Sequence, residues 1–191
     1  MSEVEMWRGE LGNEYTKQNL GTGMPGRKIL WTDILTQSLM RPKSFLEIGA
    51  GNGKNLCALR GMGFKNLFGV EPNKNARDLL STFGFHTYDG TAINPYCTAD
   101  LVFTSGVLIH IPPDELLAAC QGIYDAAERY IVCIEYFSDE PETKPYRGRH
   151  LWKRDFGDFW MENFDLQPLG CGFAWKRTTG LDNLTWWTFA K

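Results

Sequence analysis

The sequence predicts an α/β fold, a seven-stranded, mostly parallel sheet with helices on both faces and a C-terminal antiparallel hairpin. Three observations carry that expectation. Short apolar runs alternate four times with stretches of helical period between residues 45 and 135, as in a parallel sheet with crossover helices. The first run, Phe45-Leu-Glu-Ile48, passes straight into three glycines at alternate positions, Gly49, Gly51 and Gly53. Two further runs, Leu166 to Phe173 and Leu184 to Phe189, close the chain as adjacent strands.

Residues 1–20 are polar with isolated aromatics, Trp7 and Tyr15, and read as a short helix or arm that packs over something. Gly21-Thr-Gly-Met-Pro-Gly26 is a turn cluster. Leu30, Ile34, Leu35 and Leu39 then recur on one face of a helix that stops before Pro42. After the first strand, Leu56, Leu59 and Met62 mark the helix that leaves the glycine turn. Asn66-Leu-Phe-Gly-Val-Glu71 is a second strand ended by Pro72, and Ala76, Leu79, Leu80 and Phe83 mark the next helix. Phe85-His-Thr-Tyr-Asp89 and Leu101-Val-Phe-Thr104 are the third and fourth strands. Pro112-Pro113 opens a helix in the favoured early position, with Asp114 and Glu115 in its positive first turn. Tyr130-Ile-Val-Cys-Ile-Glu135 is the fifth strand, followed by a polar loop bearing Arg147, Arg149 and His150. Trp152, Phe156, Phe159 and Trp160 predict a last helix. With neither repeat nor linker, the expected organisation is one domain over 1–191, in which 1–40 form an arm and helix capping the site.

Composition narrows the function classes. A net charge of −3 argues against a general nucleic-acid surface. No apolar run is long enough to span a membrane, and the acidic N-terminus is unlike a signal peptide, so a cytoplasmic protein is expected. The five cysteines are scattered, without C-x-x-C or nearby histidines, which suits reduced core thiols rather than a disulfide framework or a metal site.

The glycine turn is the opening of a nucleotide site, and its spacing discriminates among nucleotides. A dinucleotide fingerprint wants G-x-G-x-x-G, but Lys54 stands where its last glycine belongs, and no P-loop motif is present. Glu47 lies two residues before the first glycine, and Glu71 ends the second strand, where a carboxylate can accept hydrogen bonds from ribose hydroxyls. A ligand with an adenosine, no phosphate and a positive charge suits carboxylates this dense.

That description fits S-adenosyl-L-methionine, and the chain resembles the Rossmann-like class I methyltransferases. Glu47-x-Gly49-x-Gly51-x-Gly53 is similar to their first motif, Glu71 to their ribose acid and Asp89-Gly90 to their adenine-side residues. Thr104-Ser105-Gly106 sits where the fourth strand lines the methionine end. The resemblance implies that Ala50, Asn55, Pro72, Asn73 and Thr91 complete the cofactor site, with Tyr15 and Asn19 closing over it from the arm. Trp7-x-Gly9-x-x-Gly12-x-x-Tyr15, the segment Thr104 to Ile111 with His110, Glu135-Tyr136, Pro145-Tyr-Arg-Gly-Arg149 and Leu184-Thr-Trp-Trp187 resemble a narrower group. These are the pseudaminic acid biosynthesis-associated methyltransferases of bacterial surface-sugar pathways.

Methyl transfer from a sulfonium is an in-line displacement, so the protein aligns the nucleophile and manages its proton. Three residues are candidates near the methionine end: His110, Glu135 and Tyr136. His110 reads either as a base or acceptor-orienting group or as a helix-entry histidine satisfied by backbone; Glu135 either as a ligand for an amino group or as a plain strand end. Arg147, Arg149 and His150 concentrate positive charge beyond the strand tips, where an anionic acceptor such as a nucleotide-sugar or acidic sugar would lie, unless they form a solvated loop. Two alternatives stay open, a protein or peptide acceptor and a binding module without turnover. A nucleic-acid acceptor is not expected: the [DNS]-P-P-[YF] motif of amino-methylating DNA enzymes is replaced by Thr104-Ser-Gly-Val107.

Overall fold

The computed structural model of the chain describes residues 2–19, 24–146 and 149–191, with Arg149 described by its backbone. Its elements run α1 (Glu3–Arg8), α2 (Glu10–Gln18), α3 (Met24–Gln37), β1 (Phe45–Ile48), α4 (Lys54–Gly61), β2 (Leu67–Val70), α5 (Lys74–Thr82), β3 (His86–Tyr88) and β4 (Ala99–Ser105). A short 3-10 turn, Leu108–His110, leads to α6 (Pro113–Ala126), β5 (Ala127–Glu135), β6 (Glu142–Tyr146), β7 (Arg149–Lys153), α7 (Phe156–Asn163), β8 (Gln167–Ala174), α8 (Lys176–Thr179) and β9 (Leu184–Ala190).

Seven strands form one sheet in the order β3-β2-β1-β4-β5-β9-β8. The pairs from β3 to β5 are parallel, and β9 runs antiparallel to both β5 and β8. The predicted sheet and terminal hairpin are therefore observed. Because side chains alternate across a strand, the period-two runs supply two cores. Phe45, Leu101, Phe103, Val132, Ile134 and Trp186 meet α3 and α4 on one face. Leu46, Val102, Ile131, Cys133, Trp187 and Phe189 meet α6 and α7 on the other. Trp31 of α3 is the centre of the first core, set edge-on to Phe103 at 4.6 Å and to Phe45 at 6.0 Å between ring centroids.

Strand order reverses between β1 and β4: the chain goes from β1 outward to β2 and β3, then returns to β4. Loops leaving those two strands diverge to opposite faces and open a crevice at the sheet's carboxyl edge. The arm lies across that crevice. Ser2 caps α1 reciprocally with Glu5, a capping box legible in Ser2-Glu-Val-Glu5.

Two expectations fail here. The polar loop after the fifth strand contains an antiparallel hairpin, β6–β7, paired from Glu142↔Lys153 to Tyr146↔Arg149. Trp152 lies in β7, and the helix predicted through it begins later, at Phe156, where Asp155 accepts the Asp158 N–H as N-cap. The hairpin is half polar on both faces, so its period-two signal is weak.

Phe103 sits at the middle of the sheet, fully buried against Trp31. Phe103→Ala is expected to lower unfolding free energy by about 3–5 kcal/mol, against about 1 for Phe103→Leu. Urea denaturation checks both; a loss under about 1 kcal/mol for the alanine variant would contradict this packing.

Candidate functional site

The crevice holds a cavity of about 150 Å³. Its floor comes from the tips of β1, β2 and β4, through Ile48, Gly49, Gly51, Glu71, Ser105 and Gly106. One wall is Pro72, Asn73, Thr91 and Ile93; the other is Val107, His110, Ile111 and Glu115. Its roof is the arm, with Glu3, Trp7, Gly12, Tyr15 and Thr16. Gly49, Gly51 and Gly106 all have positive φ, at 70°, 50° and 66°. A Cβ on Gly51 or Gly106 would meet no atom within 4 Å, so both positions leave room for a ligand at the backbone.

Glu71 is the hinge of the floor. It is buried, and its Oε2 accepts the Gly51 N–H at 2.8 Å while its Oε1 accepts the Asn73 N–H at 2.8 Å. Burial pushes its pKa up, against those two hydrogen bonds. The same Asn73 binds the roof: its side-chain amide reaches the Trp7 carbonyl at 3.1 Å and Asn13 Oδ1 at 2.9 Å, while its Oδ1 caps α5 through the Ala76 N–H. Asn52 adds a second tie, donating to the Thr16 carbonyl at 2.8 Å.

Aromatic rings continue from the roof to the wall. Trp7 stands edge-on to Tyr15 at 5.5 Å and to His110 at 4.9 Å, and Tyr146 of the hairpin lies 5.8 Å beyond His110. The half-buried His110 ring has its Nδ1 buried without a hydrogen-bond partner among the described residues. Burial pushes its pKa down to about 4, so the imidazole is neutral at pH 7.

Of the cofactor candidates, Tyr15, Gly49, Gly51, Glu71, Pro72 and Asn73 line the cavity, as do Thr91, Ser105 and Gly106. Others stand behind it. Glu47 is buried beneath the glycine turn, where its Oε1 accepts the Asn55 side-chain N–H at 2.7 Å, and Asn55 in turn accepts from the Trp31 indole at 3.4 Å. Gly53 starts α4 with its Cα against Leu80, and Ala50 packs in the core. Thr104 points into the second face of the sheet, and Asn19 ends α2, donating to the Tyr15 carbonyl.

Asp89 also lies outside the cavity lining. It is half exposed and bridges Arg8 of α1 at 3.0 Å and Arg77 of α5 at 2.9 Å, so its carboxylate ties the arm to the body; Gly90 beside it is packed on the Asn94 carbonyl. Neither Glu135 nor Tyr136 faces the cavity. Glu135 is fully buried, its Oε1 accepting the Val107 and Leu108 N–H groups, and the Tyr136 hydroxyl donates to Asp182 at 2.8 Å. His150 is exposed on β7 beside Trp152, Arg147 lies outside the described residues, and Arg149 is placed by its backbone opposite Tyr146. No group of three or more metal-ligating side chains occurs among the described residues, and no helix there is long and apolar enough to cross a membrane.

Sequence reasoning missed two of the roof residues named above, Glu3 and Thr16. Neither carries a motif in the sequence. Also missed was Arg27 of α3, a largely buried guanidinium in electrostatic reach of Glu47 and Asp182.

The fold recurs in methyltransferases. Magnesium protoporphyrin IX methyltransferase from Synechocystis PCC 6803, solved with S-adenosylmethionine, aligns over 100% of this chain and 98% of its own, at TM-score 0.72 and 11% identity. The 1,6-didemethyltoxoflavin-N1-methyltransferase of Burkholderia thailandensis, solved with 1,6-didemethyltoxoflavin and S-adenosylhomocysteine, aligns over 95% and 84% at TM-score 0.73 and 13% identity. A Leishmania major S-adenosylmethionine-dependent methyltransferase aligns over 98% and 81% at TM-score 0.74 and 15% identity. No family model matches the chain, and no curated protein sequence matches it. The fold is that of the class I S-adenosylmethionine-dependent methyltransferases.

Two buried carboxyls near the site give a pH signature. Burial raises Glu47 to about 8, opposed mainly by the Asn55 hydrogen bond and Arg27, and raises Glu135 to about 7. An acid whose folded pKa exceeds its unfolded value keeps its proton in the fold while the unfolded chain releases it. Its stabilisation is whole below about pH 4.5 and lost as pH rises through the folded value. Unfolding free energy should therefore fall between about pH 5 and 8, by at most about 1.4 kcal/mol per pH unit for each group. Glu47→Gln should flatten the upper part of that slope in urea melts; an unchanged slope would contradict a protonated Glu47.

Proposed function

We propose that this chain is an S-adenosylmethionine-dependent methyltransferase that acts on a small anionic acceptor, methylating an amino group. The observation that supports the cofactor is the charge of the cavity: among the described residues its lining includes Glu3, Glu71 and Glu115 and no lysine or arginine. Such a lining disfavours phosphates and favours a cationic nucleoside.

The residues fit that cofactor. Gly51 and Gly106 leave a cradle that a Cβ would fill, and Glu71, although it already accepts two N–H groups, keeps lone pairs for ribose hydroxyls. Pro72 and Thr91 would hold the adenine side, and Gly49, Ser105 and Tyr15 the methionine side. Glu47, Asn55, Gly53, Ala50 and Thr104 would support these contacts from behind. S-adenosylmethionine, when bound, supplies a methyl group on a positively charged sulfur that is open to in-line displacement.

The chain's own part is alignment and exclusion of water. Trp7 and Tyr15 roof the cavity against solvent. His110, neutral and with an accepting nitrogen, would take a hydrogen bond from the acceptor's N–H and so aim its lone pair; a pKa held near 4 suits orientation better than proton storage. The hairpin that contacts His110 through Tyr146 carries Lys144, paired with Glu142, and Lys153 on the Tyr146 face, a place for the acceptor's anionic part. The resemblance of the arm, the His110 segment and the hairpin sequence to the pseudaminic acid-associated enzymes supports a nucleotide-sugar or acidic sugar of bacterial surface-glycan synthesis.

Calorimetry should show S-adenosylmethionine binding, weakened about tenfold or more in Glu71→Ala, which loses charged hydrogen bonds worth about 1.5–3 kcal/mol. Absence of binding by the unaltered protein would refute the proposal. In a panel of nucleotide-sugars, the true acceptor should release S-adenosylhomocysteine. With it, His110→Ala should cut turnover about 100-fold while leaving cofactor affinity near the original; full turnover would remove His110 from the reaction.

A further inference from the structure

Glu135 is fully buried, yet its neighbours on the same face of β5, Ile131 and Cys133, are core residues in an apolar cluster. A buried carboxylate is costly unless its hydrogen bonds are needed where it sits. Those bonds go to one place. Beyond β4 the chain reverses at Gly106 and enters the 3-10 turn that carries His110, and the first N–H groups of such a turn have no partner within it. The tip of β5 takes them in sequence. The Ile134 carbonyl accepts the Gly106 N–H at 2.9 Å, and Glu135 Oε1 accepts those of Val107 at 2.9 Å and Leu108 at 3.0 Å. The His110 N–H then closes the turn on the Val107 carbonyl at 2.9 Å, which sets the ring against Trp7.

We propose that Glu135 is the positioning residue for His110, anchoring from beneath the turn that presents the imidazole to the cavity. The role rests on the methyltransferase reading for its purpose, but the geometry it asserts is testable without turnover. An apolar residue at 135 would leave two buried N–H groups without acceptors, and the turn would shift toward solvent to hydrate them. Glutamine keeps one acceptor oxygen at the same reach. The titratable and charged groups about Glu135 are Cys133 on its strand, Tyr136 just after it, and Cys120 on α6, which Arg154 approaches in turn. Those sharing the cavity with His110 are Glu3, Tyr15, Glu71 and Glu115, with Tyr146 beside it.

The test is imidazole NMR of the ligand-free protein, which has three histidines, His86, His110 and His150. His110 should titrate well below 6.5 in the unaltered chain and stay within about 0.3 unit of that value in Glu135→Gln. In folded Glu135→Leu it should rise by about one unit or more, a tenfold gain in proton affinity, as the ring becomes hydrated. A folded leucine variant with an unmoved His110 overturns the proposal, as does a glutamine variant that behaves like leucine. Should the leucine variant not fold, the unaltered protein decides: the Val107 and Leu108 amide protons must shift together with the Glu135 carboxyl carbon during titration, and indifference refutes the anchor. Failure of S-adenosylmethionine binding would refute the enzymatic reading and leave these signals unchanged, so the two failures are distinguishable.

Discussion

Two buried carboxylates at strand tips hold the loops that make the cavity. Glu71 ends the second strand and accepts N–H groups from the glycine turn and from the start of α5. Glu135 ends the fifth and accepts two from the turn before α6. At the carboxyl edge of a parallel sheet, backbone leaving one strand has no ladder to continue in, so its donors need acceptors from elsewhere. An acidic side chain on the neighbouring tip supplies them in a dry setting where each bond is strong.

The same economy reaches the roof. Asn73 donates its backbone N–H to Glu71 and its side-chain amide to carbonyls at the end of α1, so floor and arm share a residue. Asp89 adds an outer tie through Arg8 and Arg77. Glu71 and the arm above it are therefore joined through Asn73. The exposed Asp89 pairs contribute little by themselves, whereas the buried Asn73 contacts are the stronger part of the clasp.

Much of the site was legible because its chemistry is local. Gly49, Gly51 and Gly53 follow a buried strand, and Glu71 ends the next; strand, turn and acid are each written in a few consecutive residues. The aromatic arm is legible as composition, and the resemblance places it over the cofactor site, but its helix start at Ser2 and Glu5 and its ties to Asn73 are seen in the structure. Position at or just after a strand end suggests an acceptor contact for Glu135, an adenine contact for Asp89 and a pocket-facing Tyr136, yet none of the three lines the cavity. Strand-end position says nothing about which face a side chain takes or which backbone donor is waiting there.

By itself, the sequence determined the sheet, its two apolar faces and the glycine crossing between β1 and α4, since period-two burial and positive φ are properties of short segments. The tertiary structure alone decided which strand-tip carboxylate opens on the cavity, since both accept backbone N–H groups. Glu71 and Glu135 look alike in the chain, but one opens on a cavity and the other lies under a turn 27 residues away in sequence. That difference comes from strand order and register, which bring remote donors to one tip and leave the other tip exposed to the crevice.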